Sequence, residues 1–148
     1  MWSTGAVTIA AMPKYQFSVD VQTQYLAEHS SADAGVFSFA YTITITNTGD
    51  ITAQLISRHW TISDARGHTE DVKGLGVVGN QPLLKPGEAF QYTSGCRLRT
   101  PSGAMHGRFF CVAEDTESVE VPVALFVLEA TSGADHETPS QASGRVLH

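Results

Sequence analysis

The chain has 148 residues, nine Lys plus Arg against fifteen Asp plus Glu, a formal charge of −6 and 42% hydrophobic residues. That length suits one domain, which would bury roughly two thirds of the surface its unfolded chain exposes. The acidic balance argues against a reader of nucleic acid, which normally carries a basic face. Two cysteines, Cys96 and Cys111, without CxxC or zinc spacing, are too few for a disulfide framework and read as reduced thiols of a cytoplasmic protein.

Residues 1–14 are expected to form a flexible segment. Its apolar run Ala6-Val7-Thr8-Ile9-Ala10-Ala11 has no Lys or Arg before it, so it does not read as a secretory leader. From Tyr15 to Leu26 bulky residues fall on every second position (Phe17, Val19, Val21, Tyr25), the period of a half-buried strand. From Val36 to Thr46 the alternation is cleaner: Phe37, Phe39, Tyr41, Ile43 and Ile45 against Ser38, Thr42, Thr44 and Thr46. Asn47-Thr48-Gly49-Asp50 is turn chemistry, read as Asn and Gly accepting positive φ.

The next strand is expected over Thr52–Ile62, with Ile56, Arg58, Trp60 and Ile62 on one side and Trp60 as a core anchor. After His68–Lys73 come a glycine-rich loop, Gly74 to Pro82, then Leu83-Leu84, a Lys85-Pro86-Gly87-Glu88 turn and a strand over Ala89–Leu98. Pro101-Ser102-Gly103 reads as a turn, followed by strands over Met105–Ala113 and Val119–Leu128. Pro122 cannot donate to a ladder and belongs on an edge or at a bulge. Neither this segment nor any other supplies the about twenty apolar residues of a membrane-crossing helix. From 131 to 148 the composition turns to Ser, Thr, Gly, Asp, Glu and Pro, which predicts a disordered tail. About eight short strands over 15–130, with Pro or Gly at nearly every connection, predict an all-β antiparallel sandwich, a small closed barrel being the alternative.

Several segments, in order and spacing, resemble the ApaG family: Phe39-Ala40-Tyr41-Thr42-Ile43-Thr44-Ile45, Ser57-Arg58-His59-Trp60, Gly74 through Pro82, Tyr92-Thr93-Ser94-Gly95, and Thr100 through Gly107. The resemblance covers about Val19 to Leu128. It implies an immunoglobulin-like, fibronectin type III-like sandwich. It also implies a bacterial cytoplasmic protein linked to cobalt and magnesium efflux and to a diadenosine tetraphosphate hydrolase encoded beside it. Related domains look like interaction modules inside larger eukaryotic proteins, and no catalytic residues come with the family.

Gly74-x-Gly76-x-x-Gly79 spells a dinucleotide fingerprint, but that chemistry needs a helix opening on the loop. Here Asn80-Gln81-Pro82-Leu83-Leu84-Lys85-Pro86 follows, and its two prolines forbid one. What survives is an anion nest of successive amides around Gly74, Gly76, Gly79 and Asn80, against a loop that needs glycine for its backbone angles alone.

If Ser102 and Gly103 centre a hairpin turn, Arg99 pairs with His106, Arg97 with Arg108 and Cys96 with Phe109. Arg97, Arg99, His106 and Arg108 would then share a face suited to a phosphate-bearing ligand or an acidic partner. The alternative is that these arginines are solvated or paired with Glu114, Asp115 or Glu117. The same register sets Cys96 diagonal to Cys111, somewhat too far for a disulfide, with both thiols reduced and buried.

Six histidines show no HxH or HExxH spacing, so a preformed transition-metal site is not expected, although scattered carboxylates that sequence cannot assemble could build a magnesium site; no cofactor is expected. Arg58 is expected to stack on Trp60 or to reach a carboxylate, and Ser57, Ser94 and Ser102 lack GxSxG context. The sequence therefore reads as a non-catalytic module for an unidentified protein partner, with the cation link as the family implies. The alternative is a binder of pyrophosphate or a dinucleoside polyphosphate through the glycine loop. A hydrolase of such compounds would need an acidic metal cluster that the sequence does not display.

Overall fold

The computed structural model describes residues 13–131, so the expected flexible segment and tail lie almost wholly outside the described residues. Eight strands form: β1 (Phe17–Tyr25), β2 (Phe37–Asn47), β3 (Ala53–Asp64), β4 (Thr69–Leu75), β5 (Leu83–Leu84), β6 (Ala89–Leu98), β7 (Ser102–Ala113) and β8 (Ser118–Glu129). One sheet has the order β1-β2-β6 and the other β4-β3-β7-β8, with β5 added to β3. All the strand pairings are antiparallel. This is the all-β, fibronectin type III-like sandwich expected, with each strand within a few residues of its predicted span. A single 3-10 turn, Ala27–His29, interrupts the β1–β2 connection and had no signal in the periodicity.

The core is the inward half of each alternation. Phe39, Ile43 and Ile45 of β2 are buried with Tyr92 and Leu98 of β6, against Leu55 and Trp60 of β3, Met105 and Phe109 of β7, and Val121, Val123 and Leu128 of β8. Trp60 is 2% exposed. It meets Tyr41, Phe109 and Phe126 edge-on, at ring-centroid distances of 6.0, 5.7 and 6.1 Å, an arrangement the ring quadrupole favours.

The β3 pattern departs from simple alternation. A bulge between Leu55 and Ser57 lets Leu55 face the core together with Trp60, an odd and an even position, and takes Ile56 out of the inward row. The turn after β2 also works differently from expectation. Neither Asn47 nor Gly49 has positive φ. Buried Asn47 instead donates through Nδ2 to the carbonyls of Ile51 and Leu84 and accepts the Gly49 amide on Oδ1, while a β-carbon on Gly49 would lie 2.5 Å from the Lys14 carbonyl oxygen.

The largest correction concerns the presumed hairpin at Ser102-Gly103. Those residues are not a turn but the start of β7, and β6 and β7 belong to different sheets: β6 pairs with β2, and β7 with β3 and β8. Thr100 and Pro101 carry the chain across the sandwich. The Thr100 hydroxyl accepts the Ala65 amide and donates to the Ser102 carbonyl. Gly103 then slots against β3, where any side chain would strike the Ser63 carbonyl. Arg97 stands opposite Ser38, and Arg108 opposite His59 and Pro122. The shared face of Arg97, Arg99, His106 and Arg108 therefore does not form.

Cys96 and Cys111 are likewise on separate sheets and free, Cys111 buried and Cys96 half-buried. Burial pushes both thiols up to about 12. Ellman's reagent at pH 8 should label neither thiol appreciably in the native protein and both after denaturation in guanidinium. Rapid labelling of the native protein would contradict this packing.

Candidate functional site

The two sheets part along one side, where the edge strand β6 faces β3 and the β4–β5 turn. The cleft there has a volume of about 610 Å³, within the range of small-molecule and peptide sites. Its wall comprises Tyr41, Trp60, Val77, Val78, Arg58, Asn80 and the consecutive residues Phe90 to Ser94 of β6. Because side chains alternate across a strand, five consecutive residues can line a cleft only if the backbone of β6 contributes to it.

The glycine motif builds one lip, and each glycine has a separate structural cause. Gly74 lies within β4, opposite Arg58, and the Arg58 guanidinium passes over it: a β-carbon there would lie 2.8 Å from Nη1. Arg58 Nη1 donates to the carbonyls of Leu75 at 3.1 Å and Gly76 at 2.8 Å. Among the described residues it thus reaches backbone carbonyls, neither stacking on Trp60 nor meeting a carboxylate as expected. Gly76 has φ +65°, and a side chain on it would collide with the Asn80 carbonyl. Gly79, at φ +83°, and Val78, at φ +40°, are the central pair of a tight turn closed by reciprocal Val77–Asn80 hydrogen bonds.

That arrangement bears on the anion nest. The amide of Gly76 donates to the Ile56 carbonyl on the β3 bulge, that of Val77 to Asn80 and that of Asn80 to Val77. Asn80 Nδ2 donates to the Val78 carbonyl, and Gln81 Nε2 pins the turn to Ile56. The turn therefore directs carbonyls at Arg58 and commits the amides of Gly76, Val77 and Asn80, leaving those of Val78 and Gly79 without an acceptor among the described residues. No helix follows it.

Sequence reasoning missed the aromatic and phenolic half of the cleft. Tyr92 is 6% exposed, yet its hydroxyl has no hydrogen-bond partner among the described residues, and neither has Trp60 Nε1. Burial pushes the Tyr92 phenol far up, with Tyr41 adding to the effect and the nearby Arg58 charge opposing it. Tyr41 is raised by burial as well, against a hydrogen bond with Ser94. The signal available in the sequence was the inward parity of Phe90, Tyr92 and Ser94 opposite Ile45, Ile43 and Tyr41.

The other predicted site residues are dispersed. Arg97 and Arg99 lie on or just beyond β6, while Arg108 is on the outer face of the second sheet, 3.3 Å from Glu120. Glu120 is thus its partner, not Glu114, Asp115 or Glu117. On that outer face Lys73, His59 and Arg108 stand at one register level, with His59 Nε2 3.3 Å from Asp71. The Thr61 hydroxyl, with His59 beyond it, holds the Asp71 carboxyl below its ordinary value of 3.8. A carboxyl lowered on folding stabilises the fold above its unfolded value and loses that contribution as pH falls through the folded one. Below about pH 3.8, thermal melting of the wild type should fall more steeply with pH than that of Asp71→Asn; parallel curves would contradict this.

The fold and the cleft together define a sandwich of the fibronectin type III kind with a one-sided cleft and an arginine-clamped glycine turn. The chain belongs to the ApaG domain family, whose family model matches residues 27–113. It is 72% identical over 139 residues to Protein ApaG of Acidovorax sp. (strain JS42), spanning 93% of this chain and 100% of that protein. It is 53% identical over 117 residues to Protein ApaG of Ralstonia nicotianae, spanning 79% of this chain and 94% of that one. A crystal structure of an ApaA protein from Bordetella pertussis superposes with a TM-score of 0.78 at 50% identity, covering 80% of this chain and 97% of that one.

Proposed function

We propose that this ApaG-family chain is a non-catalytic, cytoplasmic binding module that receives an extended segment of a partner protein in the cleft beside β6. The observation that carries this reading is the cleft itself. An edge strand paired only with β2 lines it over five consecutive residues, and buried polar groups without partners stand in its wall. A segment laid along β6 would satisfy the strand's outward backbone groups, as in strand addition. The pyrophosphate reading draws less support, because the amides of Gly76, Val77 and Asn80 are bonded within the protein and the predicted arginines are apart. Among the described residues no group of three or more His, Cys, Asp or Glu side chains is placed to hold a metal ion. We therefore route any effect on cobalt or magnesium handling through the partner.

The test is site-specific photocrosslinking in cells, with benzoylphenylalanine at Gln91 on β6 or at Asp20 on β1, the opposite edge of the same sheet. A discrete adduct from the Gln91 position, absent from the Asp20 position and lost on Arg58→Gln, is expected. Equal adducts from both positions, or none from Gln91, would refute the assignment of the cleft.

A further inference from the structure

Resting on that reading of the cleft, we infer that its ligand is recognised through a carboxylate, held between the free side of the Arg58 guanidinium and the Tyr92 hydroxyl. Nη1 of Arg58 is committed to the Leu75 and Gly76 carbonyls, whereas Nη2 and Nε donate to nothing among the described residues. The guanidinium is thus held in place from behind, with two donors in the fork geometry that matches a carboxylate. Tyr92 supplies a further donor, buried and unpartnered, in the wall of the same cleft. A buried hydroxyl left unsatisfied is costly in the free protein, so a ligand that completes it gains that difference on binding.

The charge of the ligand follows from what else lines the cleft. Among the described residues Arg58 is the one charged side chain in its wall, with no Asp, Glu, Lys or second Arg, and the rest is aromatic, polar and, at Val77 and Val78, aliphatic. A single negative charge is balanced by one guanidinium; a pyrophosphate would leave charge unpaired in a partly desolvated site. Tyr41, Trp60 and Phe90 would cover an apolar body attached to the carboxylate. A free organic acid and the C-terminus of a polypeptide offer this same chemistry.

The experiment is a 15N-resolved NMR titration of the full chain, read at the Trp60 indole N–H and the amides of Gly76 to Ser94. The probes are 4-phenylbutyrate, its neutral amide, an eight-residue peptide of alternating valine and threonine with a free C-terminus, the same peptide amidated, and inorganic pyrophosphate. The carboxylate forms should shift the cleft signals, and their neutral counterparts should bind at least tenfold more weakly. Stronger binding of the peptide acid would assign the source to a polypeptide end, and stronger binding of phenylbutyrate to a free acid. Tyr92→Phe, which keeps the ring, should weaken the carboxylate forms about tenfold; Arg58→Gln should abolish binding and Arg58→Lys should retain part of it, whereas Arg99→Ala should leave it unchanged. Equal shifts by acids and amides would overturn the carboxylate assignment while leaving the cleft as a binding site. Shifts by pyrophosphate confined to Gly76–Asn80 would overturn it in favour of the turn amides. Absence of cleft shifts with every probe would remove both this inference and the reading it rests on.

Discussion

Trp60→Ala should lower unfolding stability by about 3–5 kcal/mol, the cost of deleting a large buried aromatic and leaving its cavity. The residue sits at 2% exposure between the layers, edge-on to Tyr41 and Phe126 and to Phe109. Three neighbouring rings fixed on separate strands cannot all close on the space. Trp60→Phe should cost far less, since it keeps much of the apolar contact and removes the unpaired Nε1. Urea denaturation followed by circular dichroism measures both, and a loss below about 1 kcal/mol for the alanine variant would show that the ring is not the anchor of the core.

Gly107→Ala should cost about 3 kcal/mol or more by overpacking. A β-carbon at Gly107 would stand 2.0 Å from the His59 carbonyl oxygen and 2.9 Å from Trp60 Cε3. The first obstacle is backbone, so a rotamer change cannot relieve it, and β7 is held on both flanks by β3 and β8. Gly67→Ala is the matched comparison: Gly67 has φ +88° and nothing within 4 Å of its would-be β-carbon. Its penalty is conformational alone, about 1–2 kcal/mol. Denaturant midpoints should rank Gly107→Ala well below Gly67→Ala, and the reverse order would mean that the two strands are not in such close approach.

The strands were legible because burial on one face imposes a period of two that survives without tertiary knowledge. Phe37 to Ile45 shows this most plainly. Partner choice between strands was not legible. Adjacent strands separated by Pro101-Ser102-Gly103 look like a hairpin, and only the burial of Thr100 and the glycine contacts of β7 with β3 reveal a crossing between layers. The bulge at Ile56 was hidden for a similar reason, since one inserted residue inverts parity without altering composition. For the site, the glycine motif pointed to the right turn, and the positive φ of Gly76 and Gly79 agrees with the reading in which glycine is needed for backbone angles. Glycine spacing reports backbone angles and close approach, and says nothing about whether amides or carbonyls end up facing a neighbour. Arg58 and Tyr92 come together only through the stacking of two sheets, so no spacing rule could join them.

The passage of the chain from β6 across to β7 has a consequence for how the molecule assembles. The first layer needs β6 to complete strands made long before it, as the Thr42–Thr93 contact across 51 positions illustrates. The second needs β7 to reach back past β4, β5 and β6 to find β3. Neither layer can be finished from one contiguous stretch, so the halves are interlaced in the order of synthesis. Such non-local wiring places refolding in the millisecond-to-second regime of sandwiches rather than that of helical bundles, and cutting the chain at Pro101 leaves all three strands of the first sheet on one fragment but parts β3, β4 and β5 of the second from β7 and β8.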